Sequence, residues 1–266
     1  SISLSGGNDK ATGRLTISRV DQTGVSPNTD QTHNTVGLNT SVKLTDRLSF
    51  DANVNYSALN NDNLPPQGNN MRNPLLGLYG WFGRQVDMGY LKAHYNDIVE
   101  YKGSKKAFNW MMDYDGQHNN PYWLAFKNTM SRNRQRAYGN VSINYNILPG
   151  IDLTGRLGTD FYNEHRKYLY HQYSRDWSDL YANATNGTFW EQYSFESETN
   201  ADLLLKIHRK PTESISLFST IGANYRNWAS HYNTTSGANL VVPDFFSTSN
   251  FLGEPNIDFT KFEKET

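Results

Sequence analysis

Apolar and polar residues alternate along most of the chain. Eight segments carry the pattern, at 2–4, 11–17, 36–44, 48–56, 137–147, 151–161, 201–207 and 215–225. In 137–147, for example, Ala137, Gly139, Val141, Ile143, Tyr145 and Ile147 share one parity, and Tyr138, Asn140, Ser142, Asn144 and Asn146 the other. A period of two puts each set on its own face of a strand, so the pattern predicts eight half-buried β-strands. No charged residue stands on the apolar parity of any segment. The opposite parity holds Arg14, Lys43, Asp51, Arg156, Asp160, Asp202, Lys206 and Arg226 among many asparagines. Leu204 and Phe218 are apolar residues on that polar parity.

The connections alternate as well. Gly6–Lys10, Thr45–Arg47, Leu148–Gly150 and Arg209–Ser214 are short and carry the Gly, Asn, Asp and Pro of tight turns. The others, at 21–34, 58–132, 163–196 and 227 to the end, are long. A soluble β-sandwich also alternates, with its apolar face turned inward. Two features favour a membrane barrel. The apolar face mixes Gly, Ala, Thr and Val with Tyr and Phe near strand ends, and short turns alternate strictly with long loops. An outward Lys or Arg at the bilayer midplane costs about 2–4 kcal/mol, which accounts for an uncharged face. The expected fold is therefore all-β, an antiparallel transmembrane β-barrel with long extracellular loops.

Composition narrows the chemistry. With 25 Lys+Arg against 26 Asp+Glu there is no field to recruit nucleic acid. The absence of cysteine removes disulfides, thiolate metal sites and cysteine nucleophiles. Hydrophobic residues are only 36%, yet aromatics reach 14%, which a disordered chain would not carry. No apolar run approaches the roughly 18 residues of a transmembrane helix. No signal peptide opens the chain, so a cleaved leader or an interior piece of a longer protein is expected.

Ser3-Leu4-Ser5-Gly6-Gly7-Asn8-Asp9-Lys10, Asp21-Gln22-Thr23-Gly24-Val25 and Asn28-Thr29-Asp30 stand at the start of the pattern. Asn120-Pro121, the Leu148-Pro149-Gly150-Ile151 turn before Gly155-Arg156-Leu157-Gly158, and Leu240-Val241-Val242-Pro243-Asp244-Phe245-Phe246-Ser247 follow in order. In order and spacing these resemble the barrel of SusC/RagA-type TonB-dependent outer-membrane transporters of Bacteroidota. The resemblance implies a 22-stranded barrel, a class whose lumen is plugged. It further implies an N-terminal plug, a SusD-like surface lipoprotein as lid, energy from the TonB complex, and import of oligosaccharides or peptides. Pairs of transporter and lipoprotein that dimerise are implied too. Residues 1–266 would then be a partial barrel domain of about eight strands, without the plug and closing strands, placed in the bacterial outer membrane against its lipid.

Candidate contact residues for substrate or lid are the loop aromatics Tyr79, Trp81, Trp110, Trp123, Trp177 and Trp190. Aromatic faces suit sugars and interfaces, but rings also pack folded loops. A short helix is expected over 91–101. The charged residues Arg14, Asp51, Arg156, Asp160, Asp202 and Arg226 are the candidate lumen wall. Leu204 and Phe218 are expected to face a packed plug. Asp176 and Asp179 beside Trp177 match no calcium loop. His94, His118, His165 and His171 show no metal-ligand spacing. Gly103-Ser104-Lys105-Lys106 lacks the first glycine of a P-loop, and no Gly-x-Ser-x-Gly elbow occurs. No cofactor and no covalent chemistry are expected. The rival readings are a small outer-membrane hydrolase using rim Asp and His, a soluble glycan-binding β-sandwich, and a SusC-like component of a secretion or motility complex.

Overall fold

A computed structural model describes residues 1–70, 72–76, 80, 83–110, 118–175 and 184–266. Strands β1 (Ile2–Gly7), β2 (Ala11–Thr23), β3 (Asp30–Lys43) and β4 (Leu48–Asn61) come first. The small hairpin β5 (Ile98–Tyr101) and β6 (Ser104–Ala107) lies in the long connection. Then follow β7 (Met130–Leu148), β8 (Ile151–Tyr170), β9 (Thr188–Thr212), β10 (Ile215–Ser236) and β11 (Asn256–Glu265). Nine strands form one antiparallel sheet in chain order, with β1 and β11 at its edges.

Each short turn has a local cause. Asn8 Oδ1 accepts from the N–H groups of Lys10 and Ala11, both at 2.9 Å. Thr45 Oγ1 accepts from Arg47 and Leu48 at 3.2 and 3.1 Å. Gly150 takes φ +77°, and a Cβ there would meet His208 O at 2.2 Å, so only glycine closes the β7–β8 turn.

Register carries the apolar parity unbroken across the sheet: Ala11 pairs with Val42, Val42 with Phe50, Phe50 with Ile143, Ile143 with Gly155, Gly155 with Leu203, and Leu203 with Ala223. This ladder leaves the turn end progressively. Phe50 stands two residues from the start of β4, Gly155 four from the start of β8, and Ala223 eight from the start of β10. A stagger that grows in one sense is the shear that closes a tilted sheet into a barrel, and a flat sandwich does not need it.

Among the described residues no second sheet covers the apolar face. Leu38, Val54, Ile143 and Leu157 are 46–50% exposed. Leaving such side chains in water forgoes about 1.5–3 kcal/mol each, so a contiguous face of them calls for an apolar neighbour. No helix among the described residues is long and apolar enough to cross a membrane, a fact that says nothing about barrels.

The structure adds a ninth strand to the expected eight. The stretch from 227 onward is not all loop: β10 continues to Ser236 and β11 returns beside it. On β11 the parity that continues the apolar face reads Ile257, Phe259, Lys261, Glu263 and Glu265. Its charges hide the strand from a search for uncharged faces. They lie beside Asn227 to His231, on the loop side of Tyr225, the last Tyr, Phe or Trp of that parity on β10. The expected helix over 91–101 also differs. Helix α2 (Met88–Ala93) starts at Asp87, whose side chain accepts from Tyr90 N at 3.0 Å. Ile98 to Tyr101 is strand, because Lys102 and Gly103 both take positive φ and close the β5–β6 hairpin.

Candidate functional site

The polar face begins, near the turns, as a ladder of amides. Arg14, Asn39, Asn53, Asn140, Gly158, Asn200 and Arg226 are successive register partners across seven strands. Asn53 donates to Asn39, and Asn55 donates to Asn53 Oδ1 at 2.6 Å. Asp51 accepts from Asn144 at 3.1 Å and Asp202 from Asn224 at 2.8 Å. Arg14, Asn39, Asp51, Asn53 and Asn140 line a cavity of about 600 Å³.

Toward the loops the face becomes ionic. Arg132, Arg134 and Arg136 alternate on β7, so their guanidiniums share the polar face. Glu164 on β8 accepts from Arg132 Nε and Arg134 Nε at 2.6 Å and from Arg166 Nε at 2.5 Å, and its side chain is only 3% exposed. Arg136 pairs with Asp160 through two hydrogen bonds. Arg226 forks onto Glu198 at 3.0 and 2.9 Å. Arg134 lies over the Tyr162 ring at 4.2 Å, and Tyr232 donates to Glu196 at 2.6 Å. Arg134, Arg136, Asp160, Tyr162, Glu198 and Trp228 line a cavity of about 240 Å³. Such a wall offers paired, preorganised charges and hydrogen-bonding groups to a polar solute.

Two loops flank the ends of β8 and β9. On the polar face, Tyr168 and Tyr170 form a buried cluster with Ala184, and Met130 and Trp190 pack against it. Arg72 lays its guanidinium 4.6 Å over Tyr168. The long connection is folded there, with α1 (Pro74–Leu76) and α3 (Pro121–Phe126). Asn120 caps α3 and donates to Leu91 O at 2.9 Å; Asn63 donates to Ala125 O at 3.1 Å. On the apolar parity, Phe189, Leu240 and Phe251 form a second buried cluster, Phe189 stacking on Phe251 at 4.6 Å.

Asp244 straps this second loop to the end of β8. His171 Nδ1 lies 3.2 Å from its carboxylate, and Gln172 N donates to it at 2.8 Å. Burial alone would raise the Asp244 carboxyl. The hydrogen bonds from His171 and Gln172 and the charges of His171 and Lys127 outweigh burial and hold it below its ordinary value. A depressed carboxyl stabilises above its unfolded pKa, near 4, and that contribution is lost as pH falls through the folded value. The protection factor of the Gln172 amide, its exchange rate corrected for the intrinsic pH dependence, should therefore fall on acidification below about pH 4, and Asp244→Asn should flatten that dependence. Equal protection of Gln172 across the range would contradict the strap.

The candidate wall residues Arg14, Asp51, Arg156, Asp160, Asp202 and Arg226 all fall on the polar face, Arg156 and Asp202 as register partners. Among the candidate rings, Trp123 is 3% exposed and donates from Nε1 to Ser174 at 2.7 Å. Trp190 packs against the Tyr168 cluster, and Trp110 lies 6.3 Å from His118. Tyr79, Trp81 and Trp177, with Asp176 and Asp179, lie outside the described residues. Phe218 is 72% exposed and stacks on His208 at 4.2 Å near the β9–β10 turn. Sequence reasoning passed over the Arg132-x-Arg134-x-Arg136 spacing, which alone signals three cations on one strand face. It also passed over Glu164, Trp228 and Tyr232. Among the described residues no cluster of three or more His, Asp or Glu has metal-binding geometry.

Comparison with known proteins gives a likeness of fold. No family model matches the chain. No curated protein matches it either. Among solved structures it is similar to the RagAB peptide transporter, at TM-score 0.65. It is likewise similar to the RagAB peptide importer in its closed-closed and open-open states, at 0.62 and 0.64. Identity is 16% in each case, and 98% of this chain is covered. The chain spans 28% of the length of those chains.

Proposed function

We propose that this chain is part of the wall of a SusC-like, TonB-dependent outer-membrane importer. Its apolar face would meet lipid and its polar face the lumen. The observation that carries the reading is the staggered nine-strand sheet, with an exposed apolar band free of charge from β2 to β10 on one face and a polar other face. The fold likeness to importer chains supports it.

Short peptides are the favoured solutes. The ionic wall around Arg136, Asp160, Glu198 and Arg226 presents both signs of charge, which suits zwitterionic chains with backbone donors and acceptors. Oligosaccharides are the second reading, favoured by the amide ladder, whose donors and acceptors match hydroxyls. A SusD-like lipoprotein would cover the loop end. A plug would sit at the turn end, against Leu204 and Phe218.

Uptake by cells carrying the full-length protein tests this. Labelled oligopeptides should leave the medium only when both the protein and a working TonB complex are present. Trp228→Ala, which opens the ionic cavity without touching the apolar face, should slow uptake several-fold at unchanged protein level, as loss of one aromatic contact worth about 1 kcal/mol implies. Depletion of oligosaccharides instead would select the second solute class. Uptake indifferent to TonB, or none of either class, would refute the importer.

A further inference from the structure

Toward the loop end of the polar face, Arg136 pairs with Asp160 and Arg226 with Glu198, one to one. Two neighbouring places do not balance. At the first, Arg132, Arg134 and Arg166 share the single carboxylate of Glu164. Each reaches it through Nε, and among the described residues none of their Nη groups makes a further hydrogen bond. Two positive charges are therefore uncompensated, on side chains that are 22–36% exposed. At the second, Glu196 accepts from the Tyr232 hydroxyl at 2.6 Å and enters no ion pair among the described residues. Its register partners, Tyr162 and Ser230, are neutral.

Three observations say what this imbalance takes. First, one cavity joins the two places. The space of about 240 Å³ is lined by Arg134 of the first and by Glu196 and Trp228 of the second, so one solute can reach both. Second, the chemistry is that of opposite ends. Guanidinium Nη pairs match the two oxygens of a carboxylate, and a carboxylate beside an indole face suits an ammonium. A neutral sugar answers neither charge, and an acidic sugar or a phosphate answers only the first. Third is spacing. Glu164 pairs with Ser194 and Tyr162 with Glu196, so Glu164 and Glu196 are diagonal neighbours, about 7–8 Å apart. An extended chain spans at most about 3.3–3.6 Å per residue, so about three residues bridge the two places and a free amino acid does not.

Resting on the membrane-wall reading, we infer that this wall holds a short peptide by its two free ends. The terminal carboxylate sits on the Nη groups of Arg132, Arg134 and Arg166. The terminal ammonium sits on Glu196, against the Trp228 ring. Glu164 keeps the three guanidiniums together without neutralising them. The peptide is thereby oriented across β7 to β10, and its ends rather than its side chains are what the wall selects.

Calorimetric titration of the full-length protein, purified from outer membranes, with trialanine tests this. Trialanine should bind, and amidating its carboxyl end or acetylating its amino end should each weaken binding about tenfold. In Arg166→Gln the penalty for amidation should shrink. In Glu196→Gln, which keeps an acceptor for Tyr232, the penalty for acetylation should vanish while that for amidation stays. Alanine itself should bind far more weakly than trialanine. Absence of trialanine binding, equal binding of free and blocked trialanine, alanine matching trialanine, or penalties unchanged in both variants would overturn the inference. So would tighter binding of an end-blocked peptide with an internal aspartate, which would make a side chain the anion. In those outcomes TonB-dependent uptake of end-blocked oligopeptides would leave the importer reading standing. Loss of uptake for every solute would sink that reading itself.

Discussion

Val141→Arg should prevent stable insertion of the full-length protein, while Asn140→Arg, one residue earlier, should leave it folded. Val141 sits in the middle of the apolar parity of β7, between Ala52 on β4 and Leu157 on β8. A guanidinium facing lipid near the midplane costs about 2–4 kcal/mol. Against a typical net stability of about 5–15 kcal/mol, that is a large fraction. Asn140 faces the other way, and Gly158 opposite it leaves room for a longer side chain. Heat-modifiable migration of the refolded proteins on gels, with urea titration, separates the two. Equal loss in both would mean that the two faces of β7 do not see different solvents.

Glu164→Ala should destabilise nearly as much, for a different reason. Three guanidiniums converge on one nearly buried carboxylate, so removing it leaves three like charges without a counter-ion. Breaking a buried pair by deleting one partner costs about 3–5 kcal/mol. Arg132, Arg134 and Arg166 are 22–36% exposed, and solvent screening places the expected loss at the low end, about 3 kcal/mol. Arg166→Gln should cost no more than about 1 kcal/mol, because two cations still neutralise Glu164. Urea midpoints of the two variants check this. A larger loss from Arg166→Gln than from Glu164→Ala would contradict the central role of the carboxylate.

The strands were legible because one face obeys a strict rule. Under the proposed membrane-wall reading that face tolerates no charge within its apolar band, and a period of two stands out against noise, as in Ala137 to Tyr145. The same rule hid β11, whose Lys261, Glu263 and Glu265 break the uncharged parity. The turns were legible from Asn8, Thr45 and Gly150, each acting within three residues of itself or through its own φ.

The site was less legible, because it exists only across strands. Arg136 and Asp160 are separated by 24 residues, and Asp51 and Asn144 by 93, and the register alone brings them together. Candidate charges could be placed on a face, but their partners could not. The loop rings illustrate the limit from the other side. Nothing in the sequence around Trp123 says that its indole is closed off by Ser174, 51 residues away.

These 266 residues carry no cysteine of their own, so labels placed here, with any cysteine elsewhere in the protein replaced by serine, give the most direct test of the two-faced wall. Single cysteines placed from position 137 to 145 in the full-length protein, spin-labelled in bilayers, report oxygen and nickel-chelate accessibility at each residue. The account predicts a period of two. Labels at 137, 139, 141, 143 and 145 should be oxygen-accessible and shielded from the chelate, and those at 138, 140, 142 and 144 should be the reverse or shielded from both. Shielding of the 137–145 odd set from both reagents would place that face inside a protein core and contradict the membrane wall.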